Sequence, residues 1–100
     1  MRYFFKLSIN PADKELYISR HQNIWPEMLE ELKKAGIRNY SLFLKGNDVY
    51  GYWECDDLES TMRILKDSRV NEKWQESMKG IITGRDDIIP SPYEEVFHMD

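Results

Sequence analysis

Residues 39–55 read NYSLFLKGNDVYGYWEC, two alternating runs joined at Gly46-Asn47. A short glycine-containing joint between two such runs signals a β-hairpin, so an antiparallel sheet is expected here. In the second run Val49, Gly51, Trp53 and Cys55 share one face, and Tyr50, Tyr52 and Glu54 share the other. Both faces are partly aromatic. A sheet of this kind needs cover on both sides, from helices on one and from a partner chain on the other.

The rest of the chain supplies the helices and the remaining strands. Tyr3 to Ile9 alternates as a first strand, with Tyr3, Phe5, Leu7 and Ile9 on one face and Lys6 and Ser8 on the other. Asn10 and Pro11 suit a cap and a first helical turn, and a helix is expected from Glu15 to about His21. A second helical segment runs from about Pro26 to Ala35 and stops at Gly36. Asp56 and Asp57 place acids where a helix N-terminus favours them. That helix carries a stripe of Leu58, Met62 and Leu65 and continues loosely through VNEKWQESMKGII. A loop over 86–92, held extended by its prolines, leads to a last strand, YEEVFHM. The order strand, helices, strand, strand, helix, strand is the split β-α-β arrangement of a ferredoxin-like α+β fold, with helices on one face of a four-stranded antiparallel sheet. Its bare face is expected to be covered by a second copy, giving a homodimer.

Composition narrows the function. One hundred residues suit a single domain spanning 1–100. The net charge is -4 with acids and bases interspersed, and no basic stripe is present for a phosphate backbone, so no nucleic-acid partner is expected. Cys55 is the only cysteine, which excludes an intrachain disulfide and a cysteine-based zinc site; it reads as a buried strand residue. No run approaches the roughly 20 apolar residues of a membrane span, and MRYFFKLSIN lacks the pattern of a signal peptide. The expected location is the cytoplasm. Two histidines without a local H-x-H or H-x-x-x-H pairing make a metal site unexpected, and no glycine-rich phosphate loop or Gly-x-Ser-x-Gly elbow is present. Any enzyme here is expected to run without a cofactor, by proton transfer.

The candidate chemistry gathers in YISRHQNIWPE, residues 17–27. Tyr17, His21 and Trp25 are spaced four apart, which on one helix would align their rings. Pro26 would cost about 3 kcal/mol inside that helix, so the chain is expected to break there. The stretch is then an aromatic plug in the core or the wall of a pocket around an ionisable imidazole. His21 titrates near neutrality and is the candidate proton carrier. Trp25 and Trp74 offer flat apolar walls that suit the C–H face of a sugar, and Tyr40 begins the second strand with its hydroxyl available to a pocket. His98 is expected to face solvent.

RHQNIWPEM, NYSLFL, KWQESM and the ending EEVFHM resemble the L-rhamnose mutarotase family in order and spacing, over nearly the whole chain. The His-x-x-Ile-Trp-Pro-Glu segment is the most specific part. The resemblance implies a dimeric ferredoxin-like barrel and cofactor-free interconversion of the α and β anomers of a 6-deoxyhexose. It also implies that His21 is the proton donor and that Tyr17, Tyr40 and Trp74 contact the sugar. Trp74 matches the first residue of a tryptophan pair in that family, and its second member is Gln75 here. An amide in place of an indole leaves the reaction type intact and makes L-fucose or a related sugar an alternative to L-rhamnose.

On this reading His21 handles the ring-oxygen proton, Tyr17 and Tyr40 hold the hydroxyls, Trp74 and Gln75 complete the binding surface, and Trp25 with Pro26 fixes the helix break. The general base is left open: Glu27 is near in sequence but equally suits a first helical turn. Rivals from two other classes remain: a cofactor-free monooxygenase acting on an aromatic substrate or a haem-degrading enzyme of the same fold, and a non-catalytic sugar-binding or regulatory module.

Overall fold

The computed structural model describes residues 1–86 and 91–100. The elements are β1 (Arg2–Ile9), a 3-10 turn (Pro11–Asp13), α1 (Lys14–Gln22), α2 (Pro26–Lys34), β2 (Arg38–Lys45), β3 (Asp48–Glu54), α3 (Leu58–Asp67), α4 (Arg69–Ser77) and β4 (Ile82–Arg85). The strands pair antiparallel in the order β2-β3-β1-β4. This is the ferredoxin-like topology expected from the order of elements.

Local chemistry sets the boundaries. The Asn10 side chain accepts from the Ala12 amide at 3.1 Å and opens the 3-10 turn. Trp25 is the N-cap of α2 and Pro26 its first residue, so the proline starts a helix instead of interrupting one. Gly36, at φ +89°, turns the chain out of α2, and Gly46, at φ +62°, makes the two-residue turn that pairs Lys45 with Asp48.

Phe5, Leu7 and Ile9 of β1 and Val49, Trp53 and Cys55 in and just after β3 form the sheet's half of the core. Tyr17, Met28, Trp74 and Met78 come from the helical side. Cys55 is fully buried, as its strand position implied. Phe5 stands opposite Gly51, and its ring occupies the space that a side chain there would need.

Two expectations are corrected. The helix after Asp57 does not run on through GII. It breaks at Ser68, whose hydroxyl accepts from the Asn71 amide at 3.1 Å and so starts α4. It then ends at Ser77, and Gly80 at φ +84° turns the chain into β4. The fourth strand is therefore Ile82–Arg85, and YEEVFHM is not a strand. β4 takes the β1 edge instead, and the adjacent acids Glu94-Glu95 and adjacent apolar residues Val96-Phe97 leave YEEVFHM no single apolar face to lay on a sheet. Residues 93–99 instead pass along the outer face, where Tyr93 packs edge-on against Phe4 at 4.9 Å and Glu95 pairs with Arg2 at 2.8 Å. Of the loop expected over 86–92, residues 87–90 lie outside the described ones.

Candidate active site

Between the inner sheet face and the helices lies a cavity of about 400 Å³. Its walls are apolar rings and methyls, from Phe5, Leu7, Met28, Trp53 and Met62 among others. The polar groups that reach it are fewer: Tyr17, His21, Tyr40, Asn71, Gln75, Arg85 and Asp86. An apolar cavity with a small convergent polar set suits a small polar ligand with an apolar face.

α1 contributes Tyr17 and His21. They sit one turn apart with ring centroids 4.2 Å from each other, and Trp74 of α4 meets the imidazole edge-on at 5.3 Å. Nδ1 of His21 lies 2.9 Å from the Tyr17 carbonyl oxygen. A carbonyl only accepts, so Nδ1 carries the hydrogen and Nε2 is the nitrogen left to the cavity. Burial lowers the imidazole pKa below its usual 6.5, partly opposed by the backbone bond to Tyr17. At neutral pH the ring is therefore uncharged with an accepting Nε2. A donor role requires that nitrogen to have taken up a proton first.

Tyr17 is buried, and burial pushes its hydroxyl up to about 12, with the Arg85 charge pulling the other way. The Tyr40 hydroxyl is also raised, first by burial and then by Tyr17, again opposed by Arg85. One flank of the Tyr40 side chain remains exposed; the enclosed surroundings of its hydroxyl account for the shift. Both phenols stay protonated at neutral pH.

A β-bulge aims Tyr40. Arg38 pairs with Glu54 and Ser41 with Tyr52, so two residues of β2 stand against one of β3. Asn39, at φ +52°, takes the left-handed conformation there, and its amide donates to Glu54 at 3.1 Å. The bulge leaves Arg38 outside and starts the inward series of Tyr40, Leu42 and Leu44.

The five residues named from the sequence, Tyr17, His21, Tyr40, Trp74 and Gln75, all line this one cavity. Trp25 does not. It packs edge-on behind Trp74 at 5.1 Å and borders a smaller cleft with Ser19, Arg20, Asn23 and Ser77, in keeping with its reading as a structural residue at the helix break. Glu27 is exposed in the first turn of α2 and is not among the lining residues; among the described residues the lining carboxylate belongs to Asp86. His98 is exposed and bonds Asp100 at 2.7 Å. Sequence reasoning missed Asn71, Arg85 and Asp86. The spacing of Asn71, Trp74, Gln75 and Met78 marks one helical face and could have found the first. Nothing local signals the other two, which were expected to follow a helix.

Among the described residues no group of three or more His, Cys, Asp or Glu side chains could hold a metal ion, and no helix is long and apolar enough to cross a membrane.

Fold and cavity together define a ferredoxin-like α+β protein whose cavity, walled by aromatic rings, presents one imidazole among the described residues. The chain belongs to the L-rhamnose mutarotase family, whose model matches residues 2–99. It is 40% identical over 100 residues to an L-rhamnose mutarotase of Oceanobacillus iheyensis, covering 96% of this chain and 95% of that protein. In structure it is similar to the crystal structure of an L-rhamnose mutarotase from Formosa agariphila, with a TM-score of 0.80, 27% identity, and coverage of 100% of this chain and 99% of that one. The fold alone is shared with tetracenomycin F2 cyclase of Streptomyces glaucescens, at TM-score 0.56 and 20% identity, covering 100% and 97%.

Proposed function

We propose that this chain interconverts the α and β anomers of L-rhamnose without a cofactor, with His21 as the proton carrier. The observation that carries the assignment is the bond from Nδ1 to the Tyr17 carbonyl, which leaves an accepting Nε2 for the cavity. Mutarotation opens the pyranose to an aldehyde and closes it again, and each direction needs one proton removed and one delivered. In opening, Nε2 takes the proton of the anomeric hydroxyl. The C1–O1 bond becomes a carbonyl, the C1–O5 bond breaks, and O5 takes a proton from the Tyr17 or Tyr40 hydroxyl or from a water held by them. Rotation about C1–C2 presents the other carbonyl face. In closing, the same protons return. The neutral resting imidazole favours this assignment over the initial reading of His21 as donor to the ring oxygen; His21 becomes a donor in the closing step. General acid-base catalysis of this kind supplies about 10²–10⁴-fold.

Trp74 is assigned to the apolar face of the sugar, and Tyr17, Tyr40 and Gln75 to its hydroxyls. The protein is further assigned to the cytoplasm, in keeping with its free, buried Cys55. It is also assigned a homodimeric state. Phe4 and Phe43 are exposed on the outer sheet face beside Tyr50, and Val96, Phe97 and Met99 of the tail are exposed as well. A second copy would cover this aromatic surface.

The deciding experiment is saturation-transfer NMR on the anomeric protons of L-rhamnose and L-fucose. Faster exchange of L-rhamnose with protein present is expected. Acceleration of L-fucose alone would move the substrate to that sugar, a reading favoured by the polar surroundings of Gln75. Acceleration of neither would remove the mutarotase assignment.

A further inference from the structure

The cavity has a polar corner where α4 meets β4. Ser8 pairs with Gly84, but Ile9 pairs with Ile82, so Thr83 is an extra residue in β4. Side chains alternate along a strand, and regular pairing would send Ile82 and Arg85 to opposite faces. The bulge resets the alternation. Arg85 then stands opposite the buried Leu7, on the inner face, and lines the cavity. Its positive charge acts on the hydroxyls of both Tyr17 and Tyr40, which sets it on their side of the site.

In this corner Arg85 Nη2 donates to Gln75 Oε1 at 3.5 Å, and Gln75 Nε2 donates to Asn71 Oδ1 at 3.3 Å. Both contacts are long for hydrogen bonds that involve N–H and oxygen. A guanidinium has five donors and no acceptor, and the amide oxygen has two lone pairs. A hydroxyl drawn up beside the pair can accept from Arg85 Nη2 and donate to Gln75 Oε1, adding two short contacts where the pair alone has one stretched one. An indole at position 75 could not accept that proton. We propose that Arg85, acting with Gln75 and Asn71, forms a hydroxyl-reading corner that determines which sugar this chain accepts. The inference rests on the cavity being the sugar site, and it takes one specific hydroxyl of a neutral monosaccharide as the group read.

The test is a cycle between enzyme and ligand. Dissociation constants of L-rhamnose and its 2-, 3- and 4-deoxy derivatives are measured by tryptophan fluorescence, which Trp53 and Trp74 in the cavity wall can report. They are compared for the native chain, Arg85→Met and Gln75→Leu. Arg85→Met is expected to weaken L-rhamnose binding about 10-fold or more, the scale of a hydrogen bond to a charged group. One deoxy sugar should bind the native chain and Arg85→Met equally, since the same interaction is removed only once. Gln75→Leu should single out that same sugar, and its exposed helical position keeps the fold intact. Losses that multiply for all three deoxy sugars, unchanged L-rhamnose binding in Arg85→Met, or no binding of L-rhamnose by the native chain would each overturn the corner. The anomer-exchange rate of the native chain is read separately: no acceleration with an intact binding cycle sinks the mutarotase reading and keeps the corner.

Discussion

Nδ1 of His21 sits 2.9 Å from the carbonyl oxygen of Tyr17, one helical turn back, and this bond selects the tautomer of the one imidazole among the described cavity residues. A helix carbonyl has two lone pairs, so it can serve the side chain while still closing the backbone ladder. The ring is thereby held in orientation by its own helix.

Replacement of His21 by Ala should lower anomer exchange by about 10²–10⁴-fold, the usual share of acid-base catalysis. Circular dichroism should show the native fold, because the side chain is only partly buried. Full activity in His21→Ala would remove the imidazole from the mechanism.

The rate should be level at pH 7 and fall on the acid side with a midpoint below 6.5, because burial lowers the His21 pKa and only the neutral ring accepts. The same shift acts on stability. The folded state holds this proton less tightly than the unfolded chain, so the contribution is complete above about pH 6.5 and is lost as pH falls from there through the folded value. Tyr17 has the opposite sign. Its raised pKa, about 12, contributes stability below about pH 10 that is lost as pH rises toward 12. No alkaline loss of rate from Tyr17 is expected up to pH 10. A pH–rate profile with a midpoint at or above 6.5 would contradict the neutral-acceptor assignment.

Gly51→Ala should destabilise the protein by about 1–3 kcal/mol, the range for overpacking a core. The new Cβ would come within 2.1 Å of Cζ and 2.2 Å of Cε1 of Phe5, so the ring must move. Phe5 also packs edge-on against Tyr40 at 6.3 Å, which carries the disturbance to a cavity phenol. Denaturant titration and exchange kinetics should both register the change, and adding Phe5→Leu should recover part of the stability. Native stability in Gly51→Ala alone would show that the ring has room to yield.

Phe43→Lys should convert a dimer into a monomer in light scattering while the far-ultraviolet spectrum stays native. Phe43 is 65% exposed and stands opposite Tyr50 on the outer face, where a charge would be buried without a partner in any face-to-face pairing. A native chain that is already monomeric at the same concentration would end the dimer assignment.

Much of the molecule was legible in the residue order. Side-chain alternation marked β1, β2 and β3, and Pro26 with Gly36 bounded α2 closely. The four-residue spacing of Tyr17 and His21 placed both rings on one face of α1, and the resemblance pointed to Tyr40, Trp74 and Gln75 beside them. Periodicity and capping act over a few residues, so such features are written locally.

What tertiary structure decided lies at the bulges and at the sheet edge. An alternating sequence has a definite inside and outside only while its register is unbroken, and one extra residue exchanges the two. The bulge at Asn39 leaves Arg38 outside and begins the inward series at Tyr40, and the extra Thr83 brings Arg85 inward. Strand pairing in space sets both. The tail makes a related point: Tyr93–Met99 is rich enough in strand-forming residues to suggest a fourth strand, yet it is Ile82–Arg85 that pairs with β1. Pattern alone selects the faces a segment could bury; the hydrogen-bonding partners available in three dimensions decide whether it becomes a strand and where its side chains point.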